Sequence, residues 1–186
     1  MKLQTQVPLN KATNQIDYSS QLVVLGSCFA NNIGDKLANY KFRALQNPFG
    51  ILFHPLAIDN LISRAIQQKQ YTEEEVFFLN ERWQCYDAHS DLSSVTKEEL
   101  LGSLNSGLLE TKLWIAKASH IFITLGTAWT YQLKESGKEV ANCHKVPQLA
   151  FKKELLSIEK IVQSLEAIVH QIQTINTKIQ IVFTVS

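Results

Sequence analysis

Two short apolar runs, each closed by a glycine, constrain the fold of this chain more than any other feature. Residues 21–25 (Gln-Leu-Val-Val-Leu) precede Gly26, and residues 121–125 (Ile-Phe-Ile-Thr-Leu) precede Gly126. Short apolar runs of this kind are typical of strands that are buried on both faces of a parallel sheet. A third run, over residues 179–185, predicts another buried strand.

Helical patterns separate these strands. After Gly26, apolar residues recur at spacings of three or four at Phe29, Ile33, Leu37 and Tyr40. Further helices are predicted over residues 55–70, from a capping box at Thr96 to Ala118, and over residues 157–175. Strands that alternate with helices imply right-handed crossovers, and therefore a mainly parallel sheet with helices on both faces. Residues 75–92 suggest a pair of short strands, and residues 129–142 a β-hairpin.

Composition and charge narrow the functional classes. The 186 residues suit one α/β domain, and the formal net charge of +1, without a Lys/Arg-rich stripe, predicts neither nucleic acid nor a membrane as partner. No apolar run has the length of a signal peptide or membrane span, so a cytoplasmic location is expected. Cys28, Cys85 and Cys143 form no CxxC pair, which indicates no metal site. Oligomeric state is left open.

Ser27 and Cys28 are the leading nucleophile candidates. In open parallel sheets, sites form outside the carboxyl ends of the strands, and Gly26 to Cys28 occupies such a position. The free N–H groups and positive dipole end of the following helix would stabilise an oxyanion and a thiolate. The alternative is structural: Ser27 caps the helix and Cys28 packs as a small apolar residue. Composition and position alone favour this alternative.

Other polar residues would complete a site. Hydrogen-bond donors toward an oxyanion or substrate are predicted at Asn47, Gly50, Gly126, Thr127 and Asn142. The alternative is turn chemistry, in which glycine allows special backbone angles and asparagine makes side-chain-to-backbone hydrogen bonds. The histidines in the sequence are His54, His89, His120, His144 and His170. His144 is retained as a candidate substrate contact, but no Asp/His pair is evident that must act with Ser27.

Four segments resemble the GSCFA-domain family, in that family's order and over nearly the whole chain. They are Gly26-Ser27-Cys28-Phe29-Ala30, Asn47-Pro48-Phe49-Gly50-Ile51-Leu52, Thr124-Leu125-Gly126-Thr127-Ala128-Trp129 and Asn142-Cys143-His144-Lys145-Val146-Pro147. The family is thought to be related to the SGNH (GDSL-type) hydrolases, which are esterases. The resemblance therefore implies a flavodoxin-like three-layer α/β/α fold with a nucleophile at the first strand-to-helix turn.

Two departures from the SGNH pattern affect the assignment of roles. An ungapped alignment of the Gly-Asp-Ser motif places Cys28 at the nucleophile position, whereas a gap of one residue places Ser27 there. The usual serine chemistry of that superfamily slightly favours Ser27. The Gly-x-Asn-Asp motif becomes Gly126-Thr127-Ala128-Trp129, so the oxyanion asparagine is missing, and Asn142 is a possible substitute.

The resemblance also implies a base and an acid in a C-terminal Asp-x-x-His segment. The chain ends at Ser186, directly after a predicted strand, so the domain is expected to be incomplete at its carboxyl end. The first hypothesis is an ester hydrolase or acyltransferase for a small-molecule or glycan ester, without metal or organic cofactor. Little or no turnover is expected from residues 1–186 alone. The alternatives are a non-catalytic acyl- or carbohydrate-binding module and thiol chemistry at Cys28.

Overall fold

The computed structural model describes residues 10–186, in which strands and helices alternate as predicted. The strands are β1 (Gln21–Gly26), β2 (Arg43–Gln46), β3 (Val76–Leu79), β4 (Arg82–Cys85), β5 (His120–Leu125), β6 (Trp129–Leu133), β7 (Glu139–Val140), β8 (Phe151–Leu155) and β9 (Gln180–Val185). The helices are α1 (Cys28–Asn39), α2 (Pro55–Gln67), α3 (Lys97–Lys117) and α4 (Ile158–Ile175). No helix in this part of the chain is long and apolar enough to cross a bilayer.

A four-stranded parallel sheet with the order β2-β1-β5-β9 forms the centre of the fold. The two central strands are paired from Leu22 opposite His120 to Gly26 opposite Thr124, which places both of their carboxyl ends at the same edge. The predicted strands at residues 21–25 and 121–125 are therefore confirmed. The prediction of a strand buried on both faces is wrong for β9. That strand lies at the edge of the described sheet, where less of the fold covers its side chains, and Val185 is largely exposed.

Helices cover both faces of the sheet, so the predicted three-layer α/β/α arrangement is confirmed. Helices α2, α3 and α4 contact one another, and they share one apolar core with alternate residues of the central strands, namely Val23, Leu25, Ile121 and Ile123. Helix α1 contacts β1, β2 and β5. Because neighbouring side chains on a strand point to opposite faces, α1 lies on the opposite layer from this core.

The apolar side predicted for α1 is partly wrong. The buried residues of α1 are Ala30 and Gly34, whereas Phe29 and Tyr40 are exposed. A Cβ atom on Gly34 would lie 2.1 Å from Oε1 of Gln46, so the side chain of Gln46 packs into the space that a Cβ would fill. The small residues therefore face the sheet, and the aromatic residue Phe29 is left at the surface beside the first turn.

Two antiparallel sheets extend from this layered fold. Strands β3 and β4 form the predicted pair, and β6 pairs with β7 as the predicted hairpin and with β8 on its other side. Strands β2 and β8 are not predicted by the sequence. Each has a single buried side chain, Leu45 in β2 and Phe151 in β8, so neither has the apolar run or the strict alternation of a recognisable strand.

Candidate functional site

The turn after β1 is held against the neighbouring strand β5. Gly26 has a φ of +124°, and a Cβ atom there would lie 2.1 Å from the carbonyl oxygen of Thr124. The backbone N–H of Ser27 donates to that same oxygen over 3.0 Å. Only glycine combines this backbone conformation with so close an approach. The position of Ser27 at the carboxyl edge of the sheet is therefore fixed by the backbone.

Asn47 binds the other side of this turn. Its Oδ1 accepts from the N–H of Gly26 at 2.8 Å, and its Nδ2 donates to the carbonyl of Gly26 at 3.2 Å and to Oδ1 of Asn31 at 2.6 Å. Both polar atoms of the side chain are therefore engaged within the protein. The prediction that Asn47 contacts substrate stays a prediction, while the structure shows that it holds the turn in place.

The hydroxyl of Ser27 does not cap the following helix. Ser27 occupies the N-cap position of α1 but makes no side-chain capping hydrogen bond. Its Oγ lies 2.9 Å from Oγ of Ser186, and the residue is only 1% exposed. The backbone N–H of Ser186 donates to the carbonyl of Leu125, which places the residue after β9 over the turn. The structural interpretation of Ser27 as a side-chain cap is therefore wrong.

The amino end of α1 carries free hydrogen-bond donors beside Ser27. Within residues 10–186, the N–H groups of Cys28 and Phe29 have no hydrogen-bond partner, and the first turn contains no acidic residue. Unpaired N–H groups and the helix dipole make this end electropositive. Cys28 is exposed, which argues against the interpretation of this residue as a small packed apolar side chain. The arrangement can bind negative charge next to two nucleophilic side chains.

The segment after β5 has its donors bound internally. The N–H groups of Gly126 and Thr127 both donate to the carbonyl of Phe53, at 2.8 and 3.1 Å. Oγ1 of Thr127 accepts from the N–H of Trp129, 3.0 Å away. The role of Gly126 and Thr127 as oxyanion donors stays a prediction, since their N–H groups point at a protein acceptor in this structure. Gly50 is in the same situation, because its N–H donates to the carbonyl of Asn47 at 2.7 Å.

Asn142 and His144 belong to a different cluster of contacts. Oδ1 of Asn142 accepts from the N–H of His144, whose ring lies 2.7 Å from the carbonyl of Cys85 through Nε2 and 3.2 Å from Oγ of Ser90 through Nδ1. His144 is buried, and this burial lowers its pKa. Both ring nitrogens are engaged, and no hydrogen bond joins this cluster to Ser27 in the described part of the chain. The predicted substrate contacts of Asn142 and His144 stay predictions.

The remaining histidines do not supply a base to Ser27 in this structure. His54 is the N-cap of α2: its Nδ1 accepts from the N–H of Ala57 and its Nε2 lies 3.0 Å from the carbonyl of Val140. His89 contacts Asp91, and His120 contacts its neighbour Ser119. Among residues 10–186, no histidine is hydrogen-bonded to Ser27, and no group of three or more His, Cys, Asp or Glu side chains could hold a metal ion.

Two residues at this site are not predicted by name. The sheet-edge rule indicates that residues after Val185 belong near the turn, and Ser186 fits that rule by reaching Ser27. Phe53 has no sequence signal, because its role depends on a backbone carbonyl that crosses to the segment after β5. Contacts of this kind join distant parts of the chain and arise only when it folds.

Comparison with known proteins is consistent with the motifs around this turn. The family model described as the GSCFA family matches residues 21–186, which include every candidate residue discussed above. Neither a search of curated proteins nor a search of solved structures finds a match. The match covers essentially the whole chain, and this chain therefore belongs to the GSCFA family.

Proposed function

We propose that this protein is an ester hydrolase or acyltransferase whose nucleophile is Ser27. The observation that carries the proposal is the pair of N–H groups on Cys28 and Phe29, which have no hydrogen-bond partner among residues 10–186, beside a serine whose backbone is fixed by Gly26. In hydrolases with a nucleophile on a strand-to-helix turn, the N–H of the following residue is one of the oxyanion donors. Cys28 is that residue here.

The chemistry would proceed in two steps. Oγ of Ser27 attacks the carbonyl carbon of the ester as its proton passes to a general base, and the N–H groups of Cys28 and Phe29 stabilise the negative oxygen of the tetrahedral intermediate. The alcohol leaves with a proton, which yields an acyl-serine. Water or a second alcohol then attacks this intermediate, releasing an acid or a new ester. The mechanism requires no metal and no organic cofactor.

The general base must be a group that is not hydrogen-bonded to Ser27 in this structure. The hydroxyl of Ser186 holds Oγ of Ser27 at 2.9 Å, but a serine hydroxyl is too weakly basic to act as the base itself. A histidine oriented by an acid is the usual solution. The proposed substrate class is a small-molecule or glycan ester, as expected from the sequence.

A second candidate function is thiol chemistry at Cys28. The specific observation in its favour is accessibility, because Cys28 is exposed whereas Ser27 is almost completely buried. The sulfur belongs to the first residue of α1, beside the free N–H groups of that turn. Attack by Sγ on the carbonyl carbon of an ester, with departure of the alcohol, would form a thioester in place of an acyl-serine.

Activity-based labelling tests the proposal and separates it from the alternatives. The full-length protein would be treated with a fluorophosphonate, and the modified peptide would be mapped. We expect modification at Ser27, which is lost in Ser27→Ala and retained in the control Ser106→Ala, a variant of an exposed serine on α3.

Two other outcomes would contradict the serine mechanism. Rapid alkylation of Cys28 by iodoacetamide, without fluorophosphonate labelling, would replace it with thiol chemistry; Cys143, partly buried, is the internal control. If neither reagent modifies the turn in protein shown to be folded, the site is a non-catalytic binding module.

A further inference from the structure

We propose that the free edge of β8 is an interface between two copies of this chain, whose β8 strands pair antiparallel about a twofold axis at Lys153. Strand β8 pairs with β6 on one side and is the outer strand of its sheet in the described part of the chain. A strand edge with unpaired backbone groups is a template for pairing with another chain. This surface lies outside the candidate site, and the inference does not depend on the function proposed above.

The register between β6 and β8 shows which backbone groups face the free edge. The N–H of Leu156 donates to the carbonyl of Ala128 at 2.9 Å, and in an antiparallel pair every second residue repeats this bond. The even-numbered residues of β8 therefore bond to β6, whereas Lys153 and Leu155 direct their N–H and C=O groups away from it. In a dimer centred on Lys153, the N–H of Lys153 donates to the carbonyl of the partner's Lys153, and the N–H of Leu155 donates to the carbonyl of the partner's Phe151.

The charged side chains of β8 complement one another in this register. Lys152 lies opposite the partner's Glu154, and the twofold axis repeats the pair on its other side. These positions form non-hydrogen-bonded pairs, in which facing side chains approach most closely. Within one chain, Lys152 forms an ion pair with Glu154, and their side chains are 61% and 30% exposed. Lysines alone would protect the edge by repulsion, but a glutamate two residues after Lys152 makes the edge complementary to itself.

The other face of β8 is also compatible with this pairing. Leu155 is 60% exposed at the end of the strand, and in the dimer it lies opposite the partner's Phe151, which would cover part of it. Two Lys153 side chains meet at the axis, but their charges are directed elsewhere. Nζ of Lys153 lies 4.6 Å from the centre of the Trp129 ring and 5.8 Å from that of Tyr131, and both rings belong to β6. The ammonium groups therefore lie over β6, away from the free edge.

Sedimentation equilibrium of the full-length protein tests whether the dimer forms. We expect a reversible monomer–dimer equilibrium with a dissociation constant of roughly 1–100 µM, because one short strand pair is a small interface. Lys152→Glu and Glu154→Lys each place like charges opposite one another, and each should weaken the dimer at least about tenfold. Wild-type protein that stays monomeric at about 1 mM would overturn the inference.

Mixing the two charge variants tests the register itself. Lys152→Glu carries two acidic residues on this face of β8 and Glu154→Lys carries two basic ones, so an equimolar mixture should form a heterodimer at least as tight as the wild-type dimer. The double variant with both changes restores opposite charges and should dimerise like the wild type. A mixture that associates no better than either variant alone, or single variants that dimerise like the wild type, would overturn the pairing about Lys153.

A backbone variant and a surface control separate edge pairing from damage to the fold. Leu155→Pro removes an N–H that faces away from β6, so the monomer should stay folded by circular dichroism while the dimer is lost. Glu110→Lys makes the same charge change as Glu154→Lys on the exposed side of α3, and its dissociation constant should equal that of the wild type. A dimer that persists in Leu155→Pro, or that is weakened equally by Glu110→Lys, would place the interface elsewhere.

Discussion

The segments that follow β1 and β5 look alike in sequence and differ in chemistry. Both strands end at the same edge of the sheet with a glycine followed by a hydroxyl residue, Gly26-Ser27 and Gly126-Thr127. After β1 the chain enters a helix and leaves N–H groups without a partner among the described residues. After β5 the chain continues into an antiparallel strand, and the corresponding N–H groups donate to Phe53.

This difference follows from the secondary structure that comes next. The first residues of a helix have no acceptor within the helix, so their N–H groups stay available to a ligand. A segment that leads into β6 is an ordinary loop, whose buried N–H groups must find partners within the protein. The turn after β1 is therefore the part of this edge that can bind charge, and the segment after β5 is its support.

The largest expected loss of stability comes from adding a side chain at Gly26, in the turn after β1. Gly26→Ala places Cβ 2.1 Å from the backbone oxygen of Thr124 at a positive φ, and neither strand can move without loss of pairing. We expect a loss of at least about 4 kcal/mol in the free energy of unfolding, measured by urea titration. Gly102→Ala, in α3 with no atom near the new Cβ, should stabilise by roughly 0.5–1 kcal/mol. A stable Gly26→Ala variant would show that the turn is not fixed by its backbone.

Removal of the Asn47 side chain should have the next largest effect. Asn47→Ala breaks three hydrogen bonds and leaves the N–H of Gly26 and Oδ1 of Asn31 without these partners, which should lower the free energy of unfolding by about 2–4 kcal/mol. Asn47 has a φ of +36°, so Asn47→Gly is the matched control that loses the same bonds without backbone strain. If Asn47→Gly is as stable as the wild type in urea, the side chain does not hold the turn.

A side chain at Gly126, in the segment after β5, should destabilise the protein less than a side chain at Gly26, in the turn after β1. Gly126→Ala places a Cβ atom 2.8 Å from Cδ1 of the Phe53 ring, which can rotate, and 3.0 Å from Cβ of Ser27. We expect a loss of about 1–3 kcal/mol in thermal or urea unfolding. The double variant with Phe53→Leu should recover part of this loss, because the smaller side chain leaves space. Strictly additive effects would show that residue 126 and Phe53 are not in contact.

Acidification should lower the free energy of unfolding through His54, which follows Phe53 in the chain. Burial lowers the pKa of His54, opposed by the carbonyl of Val140 and the carboxylate of Glu139. The unfolded chain therefore binds the proton more readily than the folded protein. The stability that depends on neutral His54 is complete above a pH of about 6.5 and is lost as the pH falls toward the lowered folded-state pKa.

The size of this effect is up to about 2 kcal/mol at pH 5. His54→Asn keeps an acceptor for the N–H of Ala57 and cannot titrate, so its stability should fall less between about pH 7.5 and 5. His144 has a pKa lowered by burial in the same direction, so some pH dependence should remain in this variant. Identical pH profiles for the wild type and His54→Asn would contradict this role.

The smallest effect on stability is expected at Cys28. Its side chain is exposed and makes no hydrogen bond in the described structure, so Cys28→Ala should change the free energy of unfolding by less than about 0.5 kcal/mol. The variant is therefore a clean probe of chemistry, because a large change in labelling of the turn could not be attributed to unfolding. A large loss of stability would indicate that Cys28 packs as part of the core.

The parts of the fold that are predictable have local signals. The apolar runs of β1 and β5 indicate strands by themselves, and the spacing of apolar residues predicts α2 and α4 within a few residues. Strands β2 and β8 escape prediction because each depends on a neighbouring strand more than on its own side chains. The sequence pattern misassigns the exposed side of α1 because the small residues Ala30 and Gly34, which carry no apolar signal, are the ones that face the sheet.

The candidate site is predictable in location but not in the use of each residue. The rule that sites form at the carboxyl ends of parallel strands selects Gly26, Ser27 and Cys28 from the amino-acid sequence alone. The sequence does not indicate that Asn47 binds Gly26, or that Phe53 takes the donors of Gly126, because these contacts span 21 and about 70 residues of the chain. Donor capacity depends on which groups remain unpaired, and that is a property of the folded chain.

The most direct test of this account is a crystal structure of the full-length protein modified by a fluorophosphonate. The account predicts a covalent bond to Oγ of Ser27, with the phosphonyl oxygen about 2.7–3.1 Å from the N–H groups of Cys28 and Phe29. The carbonyl of Phe53 should still accept from Gly126 and Thr127 in that complex. A phosphonyl oxygen bound instead to Gly126 and Thr127, with Phe53 displaced, would contradict the division of roles between the two strand ends.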